Sequence, residues 1–233
     1  MEVYDNMLDL SKNKVIIAID GGAASGKSSI SKNIAKKLNI LYIDTGAMYR
    51  AVALYFLQNN LEPTEKNILK NIDNINIRLV NENGDNTVYL NGVNVTDKIR
   101  EDSVSKFTPH ISQFKILRDK MNEIQRGFAN NESIIMDGRD IGTVVFVNAT
   151  LKIYLTADIK VRAIRRLKDL KLDINDKNIS EMIDSLNKRD YIDMNKEYGA
   201  LKKADDAIVV DTSHNDIDKA VDEIISLLKE RIK

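Results

Sequence analysis

Gly21-Gly22-Ala23-Ala24-Ser25-Gly26-Lys27-Ser28 follows the apolar run Val15-Ile16-Ile17-Ala18-Ile19-Asp20 and opens a segment in which Ile30, Ile34 and Leu38 recur every four residues. The run reads as a buried strand, the recurrence as one face of a helix, and the stretch between them fits G-x-x-x-x-G-K-[ST]. Strand, glycine-rich turn and helix in that register make a phosphate-binding loop. The backbone curls so that N–H groups point inward, and the helix N-terminus adds partial positive charge. Gly21, Gly22, Ala23, Ala24, Ser25, Gly26, Lys27, Ser28 and Ser29 are therefore expected around a nucleoside triphosphate. In that reading Lys27 reaches the β- and γ-phosphates and the Ser28 hydroxyl serves Mg²⁺. The plain alternative, a glycine-rich turn, does not need a lysine in this register.

Around this loop, 233 residues suit one large domain or a core with a sizeable insertion. Lys+Arg and Asp+Glu both number 35, so the chain has no net charge. That balance argues against a nucleic-acid polymer or an anionic membrane as main partner and leaves local basic clusters as sites for small anions. With no cysteine there is no disulfide framework, thiolate metal site or thiol nucleophile. Met1 to Asn13 is mixed and acidic, unlike a signal peptide, and is expected to be a loosely held tail; no run reaches membrane-spanning length. A cytoplasmic monomer is the expectation.

Val15 to Asp20, Leu41 to Ile43, Ser133 to Asp137, Leu151 to Thr156 and Ala207 to Asp211 read as strands of a parallel sheet separated by helical patterns, an α/β fold with helices on both faces. The alternation is imperfect around Thr143-Val144-Val145-Phe146. The interval Leu57 to Asn131 is too long for a crossover and predicts an insertion. Within it, alternating Ile75, Ile77, Leu79, Val88, Leu90, Val93 and Val95, with turns at Asn83-Gly84-Asp85 and Asn91-Gly92, predict an antiparallel meander. Phe114, Leu117, Met121, Ile124 and Phe128 predict a helix, as do Ile159 to Leu170 and, at the end, Ile217 to Leu228. Lys168 to Asn178 lacks periodicity and reads as a mobile loop.

Since many protein classes share a phosphate loop, the remaining charged residues must decide. In Asp44-Thr45-Gly46-Ala47-Met48-Tyr49-Arg50 a strand meets a helix capped by Asp44 or Thr45, and Arg50 could grip a second anion; taken alone, the segment is better read as a capped helix with a solvated arginine. Asp137 ends an apolar strand, where Mg²⁺ is held in phosphate-loop enzymes, and Arg139 and Asp140 follow at the sheet's ligand-binding edge. Arg162, Arg165 and Arg166 share a helix face, as do Arg189, Asp193 and Lys196 at i, i+4 and i+7. Their bland readings are a solvated surface and an ion-pair ladder.

The phosphate loop, Asp44 to Arg50, Asp137-Gly138-Arg139-Asp140-Ile141-Gly142-Thr143-Val144-Val145-Phe146 and the later Arg-Asp pair together resemble bacterial cytidylate kinase from about Lys14 to the C-terminus. The resemblance implies a P-loop kinase core, about 14–57 and 132–233. It also implies a monophosphate-binding insertion carrying the meander, about 58–131, and a short lid, about 158–192. It implies transfer from ATP to CMP or dCMP with Mg²⁺. Thr45, Tyr49, Arg50, Arg118, Arg139, Asp140, Arg189, Asp193 and Lys196 would surround the acceptor, with Arg118 and Asp140 near the cytosine edge. Ser28 and Asp137 would serve the metal; Lys27, Arg162, Arg165, Arg166 and Arg189 would carry catalysis. Three departures stand out. Lys196 replaces a second arginine, Pro109 stands where a base-facing serine is expected so that Thr108 or a water takes its place, and Gly22 replaces a proline, leaving the loop less restrained. Kinases for a nucleoside, UMP or shikimate-type acceptor and a nucleotide-dependent switch are the rivals; a hydroxyl acceptor would need a base such as Asp44.

Overall fold

The computed structural model describes residues 14–82, 85–130, 132–214 and 216–232. The expected tail before Lys14, and Asn83 and Gly84 of the first meander turn, lie outside the described residues. Strands β1 Ile16–Gly21, β2 Leu41–Asp44, β3 Ile77–Glu82, β4 Asp85–Leu90, β5 Val93–Asn94, β6 Ile134–Gly138, β7 Leu151–Thr156 and β8 Ile208–Asp211 form two sheets. The helices are α1 Lys27–Leu38, α2 Thr45–Gln58, α3 Glu65–Asn71, α4 Asp102–Ile111, α5 Lys115–Phe128, α6 Ile159–Asp169, α7 Asp176–Met194 and α8 Ile217–Arg231.

The main sheet has five strands in the order β2-β6-β1-β7-β8, all parallel. Its three inner strands, β6, β1 and β7, are rich in Ile and Leu because both their faces are buried. Ile17, Ile19, Ile135 and Ile153 pack on Ile30 and Ile34 of α1 and on Val221 and Ile224 of α8. On the other face Ala18, Ile43, Ile134 and Met136 meet Ile141 and Val145. These last two belong to a π-helical turn, Ile141–Val145, which accounts for the broken alternation between β6 and β7. β1 lies centrally, so its loop opens at the middle of the sheet's carboxyl edge, where ligands of such sheets bind.

β3, β4 and β5 make the expected antiparallel meander. Asn91 and Gly92 have φ of 49° and 82°, the left-handed pair that a two-residue hairpin turn requires. The insertion folds onto α2: Met48, Val52 and Phe56 share one hydrophobic cluster with Ile77, Val88, Leu90, Val104, Ile111, Leu117 and Met121.

Three local expectations need correcting. α3 and α4 were not legible: α3 buries only Ile68, and Pro109 inside α4 reads as a breaker. The loop expected over 168–178 shrinks to residues 170–175, because α6 continues to Asp169 and the Asn175 side chain caps α7 by accepting from Asn178 N–H. Finally, α7 ends at Met194, so Arg189 and Asp193 share its face but Lys196 does not; Lys196 reaches back from the following chain.

Candidate active site

Three elements converge on the loop. Gly26, at φ 93°, caps α1 in a conformation that favours glycine, and it turns the chain so that residues 24–28 line a cleft of about 530 Å³. Lys27 is buried and folds back, its Nζ donating to Gly22 O at 2.6 Å and Ser25 Oγ at 3.3 Å. Burial, and then the positive charges of Arg139 and Arg189, push its pKa down to about 7, against the pull of Asp137. Ser28 Oγ donates to Asp137 Oδ2 at 2.8 Å, joining the helix to the end of β6. Burial, and then the neighbouring Asp44, push the Asp137 carboxyl up to about 7. Tyr42 Oη donates to the same oxygen at 3.4 Å.

Asp20, at the end of β1, fixes the segment after β6. Its two carboxylate oxygens accept the N–H groups of Ile141 and Gly142, each at 2.8 Å. Arg126 of α5 closes the far end of the same turn by donating to Val144 O and Val145 O. These contacts leave Gly138, Arg139 and Asp140 at the edge of the cleft. Asp20 lies outside the sequence-derived site, although it carries the signal used for Asp137, an acid ending an apolar strand.

The opposite wall is built from side chains of several elements. Arg118 of α5 is buried; it donates to Ser112 O at 3.0 Å, pairs with Asp140 Oδ2 at 2.5 Å, and lies 5.3 Å from the centre of the Tyr49 ring. Gly199, at φ 65°, covers its guanidinium so closely that a Cβ there would collide with it. Asp193 Oδ2 accepts from Arg139 Nε at 2.8 Å and its Oδ1 from Lys196 Nζ at 2.7 Å. Although burial pushes the other way, Arg139 and Lys196 hold the Asp193 carboxyl well below the usual carboxylate range. Lys196 Nζ also donates to Ser112 Oγ at 3.1 Å. Thr108 turns its hydroxyl into its own helix, onto Val104 O at 2.7 Å, so the hydroxyl that lies beside Lys196 next to Pro109 is that of Ser112.

Arg50 pairs with Asp44 at 3.0 Å, and Asp44 also caps α2 by accepting from Ala47 N–H at 2.9 Å. Thr45 donates its hydroxyl to Asp137 O at 2.7 Å. Arg189 stands apart: it is half-buried, and its buried Nε finds no hydrogen-bond partner among the described residues. Burial, and then the like charge of Arg139, push its pKa down to about 10.

Most of the residues singled out from the sequence therefore line one cleft: Lys27, Ser28, Ser29, Thr45, Tyr49, Arg50, Arg118, Asp137, Arg139, Asp140, Arg166, Arg189, Asp193 and Lys196. The three arginines of α6 do not stay together. Arg166 faces the cleft. Arg165 donates to Thr212 Oγ1 and O, at 3.0 and 2.7 Å, and lines an adjoining hollow of about 240 Å³ with Lys168, Ile217 and Ala220. Arg162 turns under the loop, donating to Ala23 O at 3.0 Å and pairing with Asp190 at 2.6 Å. Arg100, Ser112 and Gly199 also line the cleft and were missed; Arg100 ends a single 3-10 turn, Lys98–Arg100, and the other two lie in irregular chain, so no periodicity marks a direction.

The family model described as cytidylate kinase matches residues 17–230. A cytidylate kinase of Alkaliphilus oremlandii (strain OhILAs) is 45% identical over 216 residues, covering 92% of this chain and 98% of that protein. A cytidylate kinase of Fusobacterium nucleatum subsp. nucleatum is 45% identical over 225 residues, covering 95% and 98%. Among solved structures, an uncharacterized protein from Eubacterium ventriosum ATCC 27560 aligns with a TM-score of 0.53 at 16% identity, covering 92% of this chain and 98% of that one, a likeness of fold.

Proposed function

This chain belongs to the cytidylate kinase family, and from that premise we propose how its cleft transfers a phosphoryl group from ATP to CMP or dCMP, giving ADP and CDP or dCDP. The observation that carries the reading is Arg189, half-buried, its buried Nε without a hydrogen-bond partner and its guanidinium without an ion pair among the described residues, set in a cleft whose lining cations outnumber its carboxylates. Such a group calls for an anion from outside the protein. A phosphate seated against Arg189, Arg139 and Arg50 would face the phosphate loop across the cleft.

In this reading ATP lies along residues 21–29, its γ-phosphate met by Lys27 once that side chain leaves the carbonyl of Gly22. The hollow beside Arg165 and Thr212 takes the donor's base. Arg118 and Asp140, locked together, meet the acceptor's cytosine edge, with Tyr49 and Ser112 beside them. Asp193 holds Arg139 and Lys196 toward the acceptor, and Thr45 stands at the mouth of α2. The acceptor oxygen belongs to a phosphate already largely ionised at neutral pH, so no general base is needed, and positioning with charge neutralisation carries the chemistry. Arg166 and Arg189 neutralise charge on the transferring group from the lid side.

The Ser28 hydroxyl and Asp137 carboxylate, 2.8 Å apart, are hard oxygen donors of the kind Mg²⁺ takes together with phosphate and water. Ser28 and Asp137 would hold Mg²⁺ there, and the chemistry it would supply is neutralisation of phosphate charge. We take the working unit to be a cytoplasmic monomer; among the described residues no helix is long and apolar enough to cross a membrane.

A hydroxyl acceptor is disfavoured by Asp44. Both its oxygens are engaged, by Ala47 N–H and Arg50, and despite burial Arg50 holds its carboxyl below the usual range, which makes it a poor base. The test is ADP release from ATP across a panel of nucleoside monophosphates, nucleosides and shikimate. CMP and dCMP are expected to stimulate release most. Release without acceptor, or stimulated only by a hydroxyl compound, would overturn the reading.

A further inference from the structure

Arg162 was expected over the moving phosphoryl group, and Gly22 was expected to leave the loop loosely restrained; the two meet at one contact. Asp190 Oδ1 accepts the N–H of Ala23 at 3.3 Å while its Oδ2 pairs with Arg162 Nη1 at 2.6 Å, and Arg162 Nη1 donates to the carbonyl of Ala23 at 3.0 Å. Both polar groups of one loop residue are thus held from below by a pair of opposite charges, both buried. The pair occupies the space beside Gly22: a Cβ there would lie 2.5 Å from Arg162 Nη1 and 3.2 Å from both Asp190 oxygens. The loop is restrained from outside rather than by its own backbone.

We infer that Arg162 and Asp190 are positioning residues, a strut that sets the phosphate loop's distance from the two lid cations of the cleft. Neither residue lines the cleft. Each, however, neighbours a residue that does. Arg166 follows Arg162 by one turn of α6, and Arg189 immediately precedes Asp190 on α7. Tying Ala23 to both helices therefore ties the donor loop to Arg166 and Arg189 at once. A buried ion pair of this kind contributes little net stability over apolar replacements, so its worth lies in geometry. The strut also places the pivot of any lid closure beyond Arg162 and Asp190, in the distal turns of α6 and α7.

This assignment rests on the phosphoryl-transfer reading, and its test keeps the two apart. ATP affinity is measured by calorimetry without acceptor, and CMP-dependent ADP release separately, for Arg162→Met, Asp190→Asn and the double variant. A strut predicts that each single change weakens ATP binding about tenfold and lowers turnover about 10²-fold, with the double variant no worse than the worse single. Losses that multiply would overturn it. So would a silent Asp190→Asn beside an Arg162→Met that kills turnover while ATP affinity stays intact, the behaviour of a guanidinium touching the phosphoryl group. Gly22→Ala, which removes no charge, is expected to displace Arg162 and weaken ATP binding a few-fold; unchanged affinity would count against the strut, and this arm stands even where a charge variant fails to fold. If the wild type ignored CMP, the functional reading would fail while the ATP-binding cycle still tested the strut.

Discussion

The two walls of the cleft are made differently. The wall proposed for the donor is one continuous stretch, residues 21–29, and its lysine is folded onto its own loop. The acceptor wall is assembled from side chains on α2, α5, α7 and the segments after β6 and α7, and most of its cations are already held by carboxylates: Arg50 by Asp44, Arg118 by Asp140, Arg139 and Lys196 by Asp193. On the proposed reading the acceptor wall is preorganised, whereas the donor wall would have to release Lys27 before it could hold a γ-phosphate. Preorganised dipoles and charges cost no reorganisation at the moment of reaction. The wall that must be most exact is therefore also the wall with the most internal ties.

The comparison breaks most sharply at Arg189. Arg189→Ala should lower CMP-dependent turnover by roughly 10³-fold while ATP binding, measured by calorimetry, stays close to wild type. Equal losses in both would mean that the walls are not separable. Next comes Asp193→Asn, which unties Arg139 and Lys196 together. It should raise KM for CMP by about 10- to 100-fold and leave KM for ATP within a few-fold, since a misplaced clamp costs on the order of 10² in rate or binding.

A smaller effect, of opposite sign, is expected from Asp137→Asn. In the nucleotide-free protein Asp137 has a folded pKa of about 7, above the ordinary 3.8. Its contribution to stability is therefore fully present below about pH 4 and is lost as pH rises through about 7. The asparagine variant, which does not titrate, should gain stability relative to wild type between pH 5 and pH 8 in urea unfolding, at the expense of Mg²⁺·ATP binding. A constant difference across that range would mean that Asp137 is ionised throughout. The smallest change is Ser112→Ala, which removes the oxygen that Lys196 Nζ meets at 3.1 Å. It should shift KM for CMP by a few-fold and leave ATP unaffected, consistent with one hydrogen bond of about 1 kcal/mol.

The same contrast explains what could be read in the sequence. The donor wall was legible because its residues are contiguous and its strand and helix announce themselves by period. β1, β6 and β7 likewise follow from apolar runs, and the closing helix from Ile217, Val221, Ile224 and Leu228. The acceptor wall came into view largely through the resemblance, since Arg118, Arg139 and Arg189 are spread over 72 positions, from 118 to 189, and only folding brings them together. Spacing misled where it assumed an unbroken element: Lys196 at i+7 fell past the end of α7, and the single face of Arg162, Arg165 and Arg166 dispersed because Arg162 reaches Ala23 and Asp190, Arg165 reaches Thr212, and Arg166 faces the cleft. Ser112, Arg100 and Gly199 had no period to betray them, and Asp20 was passed over although it carries the same signal as Asp137, because its partners, the N–H groups of Ile141 and Gly142, lie more than a hundred residues away.

On the proposed function one cleft holds two nucleotides head to head, phosphate loop against Arg189. A bisubstrate analogue joining adenosine and cytidine through a chain of five phosphates tests it most directly. Steady-state inhibition should be competitive against both ATP and CMP, with the analogue bound more tightly than either nucleotide alone. Competition against ATP only, with CMP kinetics unaffected, would contradict a shared two-nucleotide cleft.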